Sequence, residues 1–318
     1  MTQHAHAPLV SIALCTYNGA RYLREQLDSL LTQTYGNLEI IAVDDASTDE
    51  SAAILQEYQQ RDARLHVSVN PVNLGFTRNF EHAMQLCRGE FIAPCDQDDI
   101  WLPEKVAVLV AVIGTHALAY CDSEFIDENG SLLPGPMSSR CNMISSRDPA
   151  QFAAANCVAG HAMLFRRELL GKALPVPECF FHDWWLAAVA ASGGGVTYCN
   201  RRLVRYRLHD SNVTNVLRER PAVRQRGRRE TRLRNFGLRV ARLAALPGAS
   251  SAFLERLHHL WVARENQWFS FELAGLMYRH WWRLNAVRKV RWRMLPAMGF
   301  AVGLRLKRVL NPQAYRHG

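Results

Sequence analysis

The chain has 318 residues, 48% of them hydrophobic, and a formal net charge of +9, which is enough length and apolar content for one large or two modest globular domains and excludes a disordered or fibrous chain. The charge is divided: residues 216–318 hold 22 Lys and Arg against 5 Asp and Glu, a net of +17, whereas residues 1–215 carry a net of −8, so a boundary falls near 215 and the basic tail faces a different partner from the body. Eight cysteines without a C-x-x-C pair, several of them in apolar runs, read as reduced core thiols of a cytoplasmic protein and not as a zinc site or a disulfide framework.

Leu9–Cys15 is a β-branched apolar run that ends at the turn cluster Thr16-Tyr17-Asn18-Gly19, after which Tyr22, Leu23, Leu27, Leu30 and Leu31 recur at helical spacing. Asn37–Val43 predicts a second buried strand; it stops at Asp44-Asp45, and Ser47 or Thr48 can cap a helix running to about Arg61. A third strand, Leu65–Val69, leads through Asn70–Gly75 to a helical pattern at Phe76, Phe80, Met84 and Cys87. The fourth strand, Glu90–Cys95, delivers Asp96, Asp98 and Asp99 within four residues, and Pro103 then opens another helix. Four strands alternating with helices predict an α/β fold with a doubly wound, mostly parallel sheet. Ligands of such sheets bind beyond the carboxyl ends of the strands, where these loops would gather.

Three carboxylates this close raise one another's pKa and repel unless a cation, an arginine or water relieves them. Hard oxygen ligands in this number suit Mg²⁺ or Mn²⁺, with substrate phosphates completing the shell. In isolation the segment reads as an exposed acidic turn; its setting at a strand end is what makes it a candidate metal site. The chain has neither G-x-x-x-x-G-K-S/T nor G-x-G-x-x-G near its first strand, so a nucleotide would be held through metal and carboxylates. Asp44 or Asp45 can accept hydrogen bonds from a base or ribose, or serve only as helix caps.

Beyond Ala117 the sequence predicts a strand to Asp122, a hairpin over Phe125–Leu133 and a polar loop over Pro134–Arg147, long enough to be functional. Cys157–Glu168 gives a small-residue turn with Gly160 and His161, then a strand and a helix start. Phe180–Trp185 opens an apolar helix in which Asp183 is wedged among aromatics. Desolvation there raises the carboxylate's pKa and makes it a better proton acceptor if it faces a cleft; alternatively Asp183 is an N-cap and His182 merely packs. Leu203–Asn212 predicts a strand ending in Arg205, Arg207 and His209, groups able to complete a metal shell or neutralise a diphosphate.

Taken together, Val10–Gly19, Ile41–Asp49, Asn73-Leu74-Gly75, Asp96-Gln97-Asp98-Asp99-Ile100-Trp101, His182-Asp183 and Tyr206–His209 resemble the family 2 glycosyltransferases of the GT-A fold, in the family's order and over about residues 8–212. The resemblance implies a nucleotide-binding half over about 8–116, an acceptor half over about 117–215 and a helical extension over 216–318. It implies that Thr16, Tyr17, Asn18, Asp44 and Asp45 bind the nucleotide of a sugar donor. Asp96, Asp98 and Asp99 would hold Mg²⁺ or Mn²⁺ on the diphosphate, Asp98 foremost and Asp96 nearer the ribose, with Arg207 on the donor and His209 on the ion. Asp183 would be the base of an inverting single displacement, with Gly160, His161, His182 and Trp184 towards the acceptor; His182 stands where the family usually has an acidic residue. The Asp-Gln-Asp-Asp-Ile-Trp form further resembles rhamnosyltransferases of surface polysaccharide assembly. That similarity suggests dTDP-rhamnose or a UDP-sugar as donor and a saccharide or lipid-linked acceptor. The rival class is a non-catalytic nucleotide-sugar-binding or scaffolding protein of the same fold, disfavoured because every carboxylate the chemistry needs is present.

The tail reads as helices over Arg218–Leu246, Ala252–Asn285 and Val287–Leu310. Arginine opposite Trp, Phe and Leu suits a helix lying on an anionic membrane or meeting a lipid-linked acceptor; the alternative is an appendage that packs on the catalytic domain and solvates its basic face. No nucleic-acid module accompanies the charge. Met1–Pro8 lacks the order of a signal peptide, and Met294–Leu304 is too short to span a bilayer. The expected location is the cytoplasm, with peripheral attachment to the inner membrane face as what the tail adds.

Overall fold

The computed structural model describes residues 7–210, 212, 225–248 (backbone alone over 225–230), 251–289 and 301. Its first half is built on β1 (Val10–Thr16), which is buried along its whole length and pairs in parallel with β2 (Leu38–Asp44) on one side and β4 (Phe91–Cys95) on the other; β3 (Leu65–Val69) continues the parallel set beyond β2. Cover on both faces is why these strands are continuous apolar runs without alternation. In the second half β8 (Met163–Arg166) runs antiparallel between β4 and β6 (Leu118–Ile126), and β6 pairs in parallel with β9 (Val196–Arg207). β7 (Leu132–Pro136) forms the expected hairpin with β6, and β5 (Ile100–Trp101) closes the far edge against β9. The order is β3-β2-β1-β4-β8-β6-β9-β5, a mostly parallel sheet.

Helices α1 (Ala20–Leu31), α2 (Ser51–Arg61) and α4 (Lys105–Ile113) bury Leu23, Leu27, Ile54, Leu55, Val106 and Leu109 on one face. On the other, α3 (Phe76–Leu86), the short α5 (Leu170–Ala173) and α6 (His182–Ser192) enclose Phe80, Met84, Ala173, Leu186 and Val189. Two sequence expectations change. The last strand begins at Val196 and not Leu203, directly after the Gly193–Gly195 stop. Neither Ser47 nor Thr48 caps α2, whose N-cap is Glu50 with no side-chain bond; Ser47 instead donates to Asp44, and Asp49 Oδ1 accepts from Ser51 N at 2.9 Å.

The tail helices α7 (Gln225–Ala244), α8 (Ser251–Ala263), α9 (Phe271–Arg279) and α10 (Trp281–Leu284) share a core with the α/β body: Phe236, Val240, Leu254, Leu257 and Trp281 belong to the same apolar cluster as Phe152, Leu186 and Ala190. Arg283 Nε meets Asp148 Oδ2 at 2.5 Å, and Asn142 Nδ2 donates to Ala286 O at 2.9 Å. The described tail therefore packs on the body. Residues 213–224 and nearly all of 290–318, including most of the third expected helix, lie outside the described residues. Because Trp281 is only 2% exposed, Trp281→Ala should cost about 3–5 kcal/mol. Calorimetry should show one transition displaced as a whole; two transitions, with the α/β body's unmoved, would contradict a shared core.

Candidate active site

The carboxyl ends of β1, β2 and β4 are tied to one another by their own loop side chains. Thr16 Oγ1 donates to Asp44 Oδ1 at 2.8 Å, and Asp44 also accepts from Ser47 N and Ser47 Oγ. Asn18, at φ 48°, accepts from Thr48 N at 2.8 Å, while its own N–H donates to Ser47 Oγ; asparagine tolerates this left-handed backbone better than most residues. Gln97 holds the main chain of Tyr17 through both amide atoms, Oε1 accepting at 2.8 Å and Nε2 donating at 3.2 Å. A Cβ on Gly19 would lie 2.2 Å from that Oε1, so any side chain there would break the tie. Asp45 accepts from Asn70 Nδ2, Leu74 N and Gly75 N at 2.8–2.9 Å and so fixes the Asn70–Gly75 loop.

These loops open on a cleft of about 1620 Å³, against roughly 300–1,000 Å³ for a typical small-molecule site, so two ligands fit side by side. Thr16, Tyr17, Asn18, Asp45, Asp96 and Asp98 line it from the first half of the chain, and Gly160, His161, His182, Asp183, Trp184 and His209 from the second. Asp44, Asp99 and Arg207 do not. Asp44 is consumed by Thr16 and Ser47. Arg207 lies behind the acidic loop, its N–H on Asp99 Oδ1 at 3.0 Å, its Nε on Asp98 O at 2.8 Å and its Nη2 on Glu25 at 2.5 Å. The structure thus gives Arg207, expected to meet the donor, the work of shaping the loop that carries the carboxylates.

Two candidate ligand sets stand there. Asp98 Oδ2 pairs with His209 Nε2 at 2.8 Å, both facing the cleft. Asp96, Asp99 and His161 each offer a ligand atom within 4.8 Å of the others, so His161, expected on the acceptor side, stands with the carboxylates. Asp99 Oδ2 is buried and has no hydrogen-bond partner among the described residues, and His161 Nδ1 lies 3.5 Å from it. His161 Nε2 contacts Ser123 Oγ at 3.0 Å; a proton on Nε2 leaves the Nδ1 lone pair aimed at a carboxylate oxygen, an arrangement that needs a proton or a cation between them. Burial, then repulsion from Asp98 and Asp183, pushes Asp96 up to about 8. Burial with Asp98 and Asp96 raises Asp99 well above the carboxylate range, and burial holds His161 down to about 3, hence neutral. Behind the cluster Lys105 Nζ sits on the Trp101 ring, 2.8 Å from its centroid, and burial lowers it to about 7. The donor set of carboxylates with a neutral imidazole fits a divalent ion.

Asp183 lies in the first turn of α6, and its Oδ1 accepts from Trp184 N at 2.6 Å. It is not the cap; Phe181 is. Burial raises its carboxyl to about 7, opposed by hydrogen bonds from the Trp184 and Gly160 main chain and from Asn156. Gly160 permits this approach, since a Cβ there would fall 2.9 Å from His182 Nε2. His182 stacks on Phe80 with ring centroids 4.1 Å apart, both its ring nitrogens lack a hydrogen-bond partner among the described residues, and burial lowers it to about 3. Two outcomes follow. A carboxyl held near 7 accepts a proton only above that value, so any reaction that uses Asp183 as its base should rise through pH about 7 and level off above it. The folded carboxyl keeps its proton up to about 7 while the unfolded chain loses it near pH 4; the native state therefore binds more protons between these values, and its stability falls as pH rises across them. Asp183→Asn should flatten that fall and melt higher than the parent at pH 8; an equal or lower melting temperature there would contradict the buried carboxyl.

Residues 11–174 match the family described as Glycosyl transferase family 2. The chain belongs to this family. An uncharacterised glycosyltransferase of Haemophilus influenzae is 32% identical over 238 residues, covering 66% of this chain and 69% of its own, and one of Rickettsia prowazekii is 33% identical over 226 residues, covering 68% and 69%. Among solved structures, Staphylococcus aureus TarS residues 1–349 in complex with UDP-GlcNAc is similar with a TM-score of 0.59 at 19% identity, covering 94% of this chain and 82% of that one. The mannosyltransferase PcManGT of Pyrobaculum calidifontis in complex with GDP-Man and Mn²⁺ has a TM-score of 0.53 at 18% identity, covering 97% and 89%. The fold of this family 2 glycosyltransferase is thus the GT-A type.

The family match stops short of Asp183 and of the whole tail. Sequence reasoning missed Gln97, Lys105 and Asn156, and it missed Arg232, Arg239 and Arg288 of the tail, which also line the cleft. Gln97 lies within the acidic segment, between Asp96 and Asp98; the others carried no local signal, because their roles depend on long-range packing.

Proposed function

We propose that the chain is a metal-dependent, inverting glycosyltransferase in which Asp183 takes the proton of an acceptor hydroxyl. The observation that carries this is a buried carboxyl, held near neutrality at about 7, in the same cleft as the Asp96–Asp98 loop. The acceptor oxygen bonds to C1 of the sugar, the bond from C1 to the diphosphate oxygen breaks, and the proton passes to Asp183. Asp96, Asp98 and Asp99, with His209 or His161, would hold Mg²⁺ or Mn²⁺, which when bound neutralises the departing diphosphate. Thr16, Tyr17, Asn18 and Asp45 face the nucleotide; Asp44 supports Thr16 from behind. The Asp-Gln-Asp-Asp-Ile-Trp form supports dTDP-rhamnose as donor, the likeness to TarS with UDP-GlcNAc supports a UDP-sugar, and the acceptor is a saccharide or lipid-linked chain of a cell-surface polysaccharide. A thermal-shift screen of UDP-glucose, UDP-GlcNAc, GDP-mannose and dTDP-rhamnose should give one donor that raises the melting temperature only with Mn²⁺; no shift with any donor would sink the reading.

No helix among the described residues is long and apolar enough to cross a membrane. Peripheral attachment in the cytoplasm rests on Trp268, Phe271 and Trp282, each more than half exposed on the tail; failure to float with anionic liposomes would remove it.

A further inference from the structure

The tail returns to the cleft beside Asp183 and brings guanidinium groups with it. Arg232 and Arg239 come from α7 and Arg288 follows α10, and all three line the cleft. Arg239 lies over the ring of Trp184, the residue next to Asp183, 4.3 Å from its centroid. Arg288 Nη2 donates to Ala154 O at 2.7 Å, which pins it to the stretch that also supplies Asn156 to the wall. The three act on one another: the charge of Arg288 helps burial lower Arg239, to about 10, and Arg232 does the same to Arg288.

Two other arginines of the molecule meet acids: Arg207 meets Glu25 and Arg283 meets Asp148. Among the described residues none of Arg232, Arg239 and Arg288 has a salt bridge to a carboxylate, and Arg239 Nε is buried without a hydrogen-bond acceptor. The unpaired buried Nε of Arg239 is costly, and Arg232 and Arg288, exposed to solvent but lining the same wall, add like charge beside it. Guanidinium groups gathered in one wall match the oxygens of phosphate.

We propose that Arg232, Arg239 and Arg288 form a receptor for a phosphate group carried by the acceptor. The proposal rests on the reading of the Asp183 end as the acceptor end. The phosphate docks on the tail, the hydroxyl to be glycosylated lies against Asp183, and the tail thereby selects anionic over neutral acceptors.

The test is melting of the full chain in EDTA, which disables metal-dependent donor binding, with glucose 6-phosphate and farnesyl phosphate as probes and glucose and farnesol as neutral controls. Both phosphates should raise the melting temperature and the neutral compounds should not. Arg232→Gln, at an exposed side chain, should weaken the phosphates about tenfold or more, as loss of one charge-assisted contact does. Arg232→Gln/Arg239→Gln should abolish the shift while the Mn²⁺-dependent shift with a nucleotide sugar persists. A larger effect of farnesyl phosphate assigns the phosphate to a lipid-linked acceptor and a larger effect of glucose 6-phosphate to a soluble one; either supports the site. No phosphate shift in the parent, equal binding of glucose, or a shift that survives in both variants overturns it. Loss of the phosphate shift in the variants of a protein that binds no nucleotide sugar would leave the anion site standing and remove the glycosyltransferase reading instead.

Discussion

Asp183→Asn should lower turnover by roughly 10²–10⁴-fold, the usual contribution of a positioned base, with affinity for the nucleotide sugar unchanged. The amide is nearly isosteric and can still accept the Trp184 N–H bond that Oδ1 receives now, so the first turn of α6 keeps its geometry. What it cannot do is take a proton. Its setting also separates this residue from the cleft's other acids: burial is the leading cause of its shift, whereas Asp96 and Asp99 are further raised by their neighbours in the same loop. Initial rates of nucleoside diphosphate release, measured beside calorimetric titration of the donor, distinguish the roles. Lost donor binding with turnover intact at saturation would place Asp183 on the donor and remove it as base.

The opposite pattern is expected at the acidic loop. Asp98→Asn should weaken Mn²⁺-dependent donor binding by about 100-fold or more, given that even outer partners of a metal ligand cost 10–100-fold, and should have little effect on nucleotide binding in EDTA. Asp98 faces the cleft and is oriented by His209 at 2.8 Å. His161→Gln then decides between the two ligand sets. It leaves the Asp98–His209 pair untouched but removes the nitrogen facing the unpartnered Asp99 oxygen. A loss as large as that of Asp98→Asn puts the ion with Asp96, Asp99 and His161; parental Mn²⁺ affinity puts it with Asp98 and His209. Donor binding in Asp98→Asn that responds to Mn²⁺ as in the parent would remove Asp98 from the ion.

The alternation of apolar runs with helical periodicity carried most of the fold, because parallel strands covered on both faces leave a continuous signal. β5 escaped because two residues have no period, and the start of β9 because Tyr198, Asn200 and the arginines after it break the apolar run. At the site, the loops that gather could be read but the direction of single side chains could not. Where strands give way to loops, adjacent aspartates part: Asp44 turns in to Thr16 while Asp45 reaches the cleft, and Asp99 turns under the loop while Asp98 faces out. Composition located the tail's charge but not its destination: whether arginines on a helix meet solvent, membrane or an active site depends on which apolar face docks, and Phe236, Val240 and Trp281 dock on the body.

The most direct test of the account is the release of nucleoside diphosphate from UDP-glucose, UDP-GlcNAc, GDP-mannose and dTDP-rhamnose by the parent and Asp183→Asn, with Mn²⁺ and with EDTA. With water taking the glycosyl group in place of the acceptor, release from at least one donor is expected from the parent with Mn²⁺, none in EDTA, and roughly 10²–10⁴-fold slower release from the variant. Release that persists in EDTA, or a variant as fast as the parent, would contradict the account.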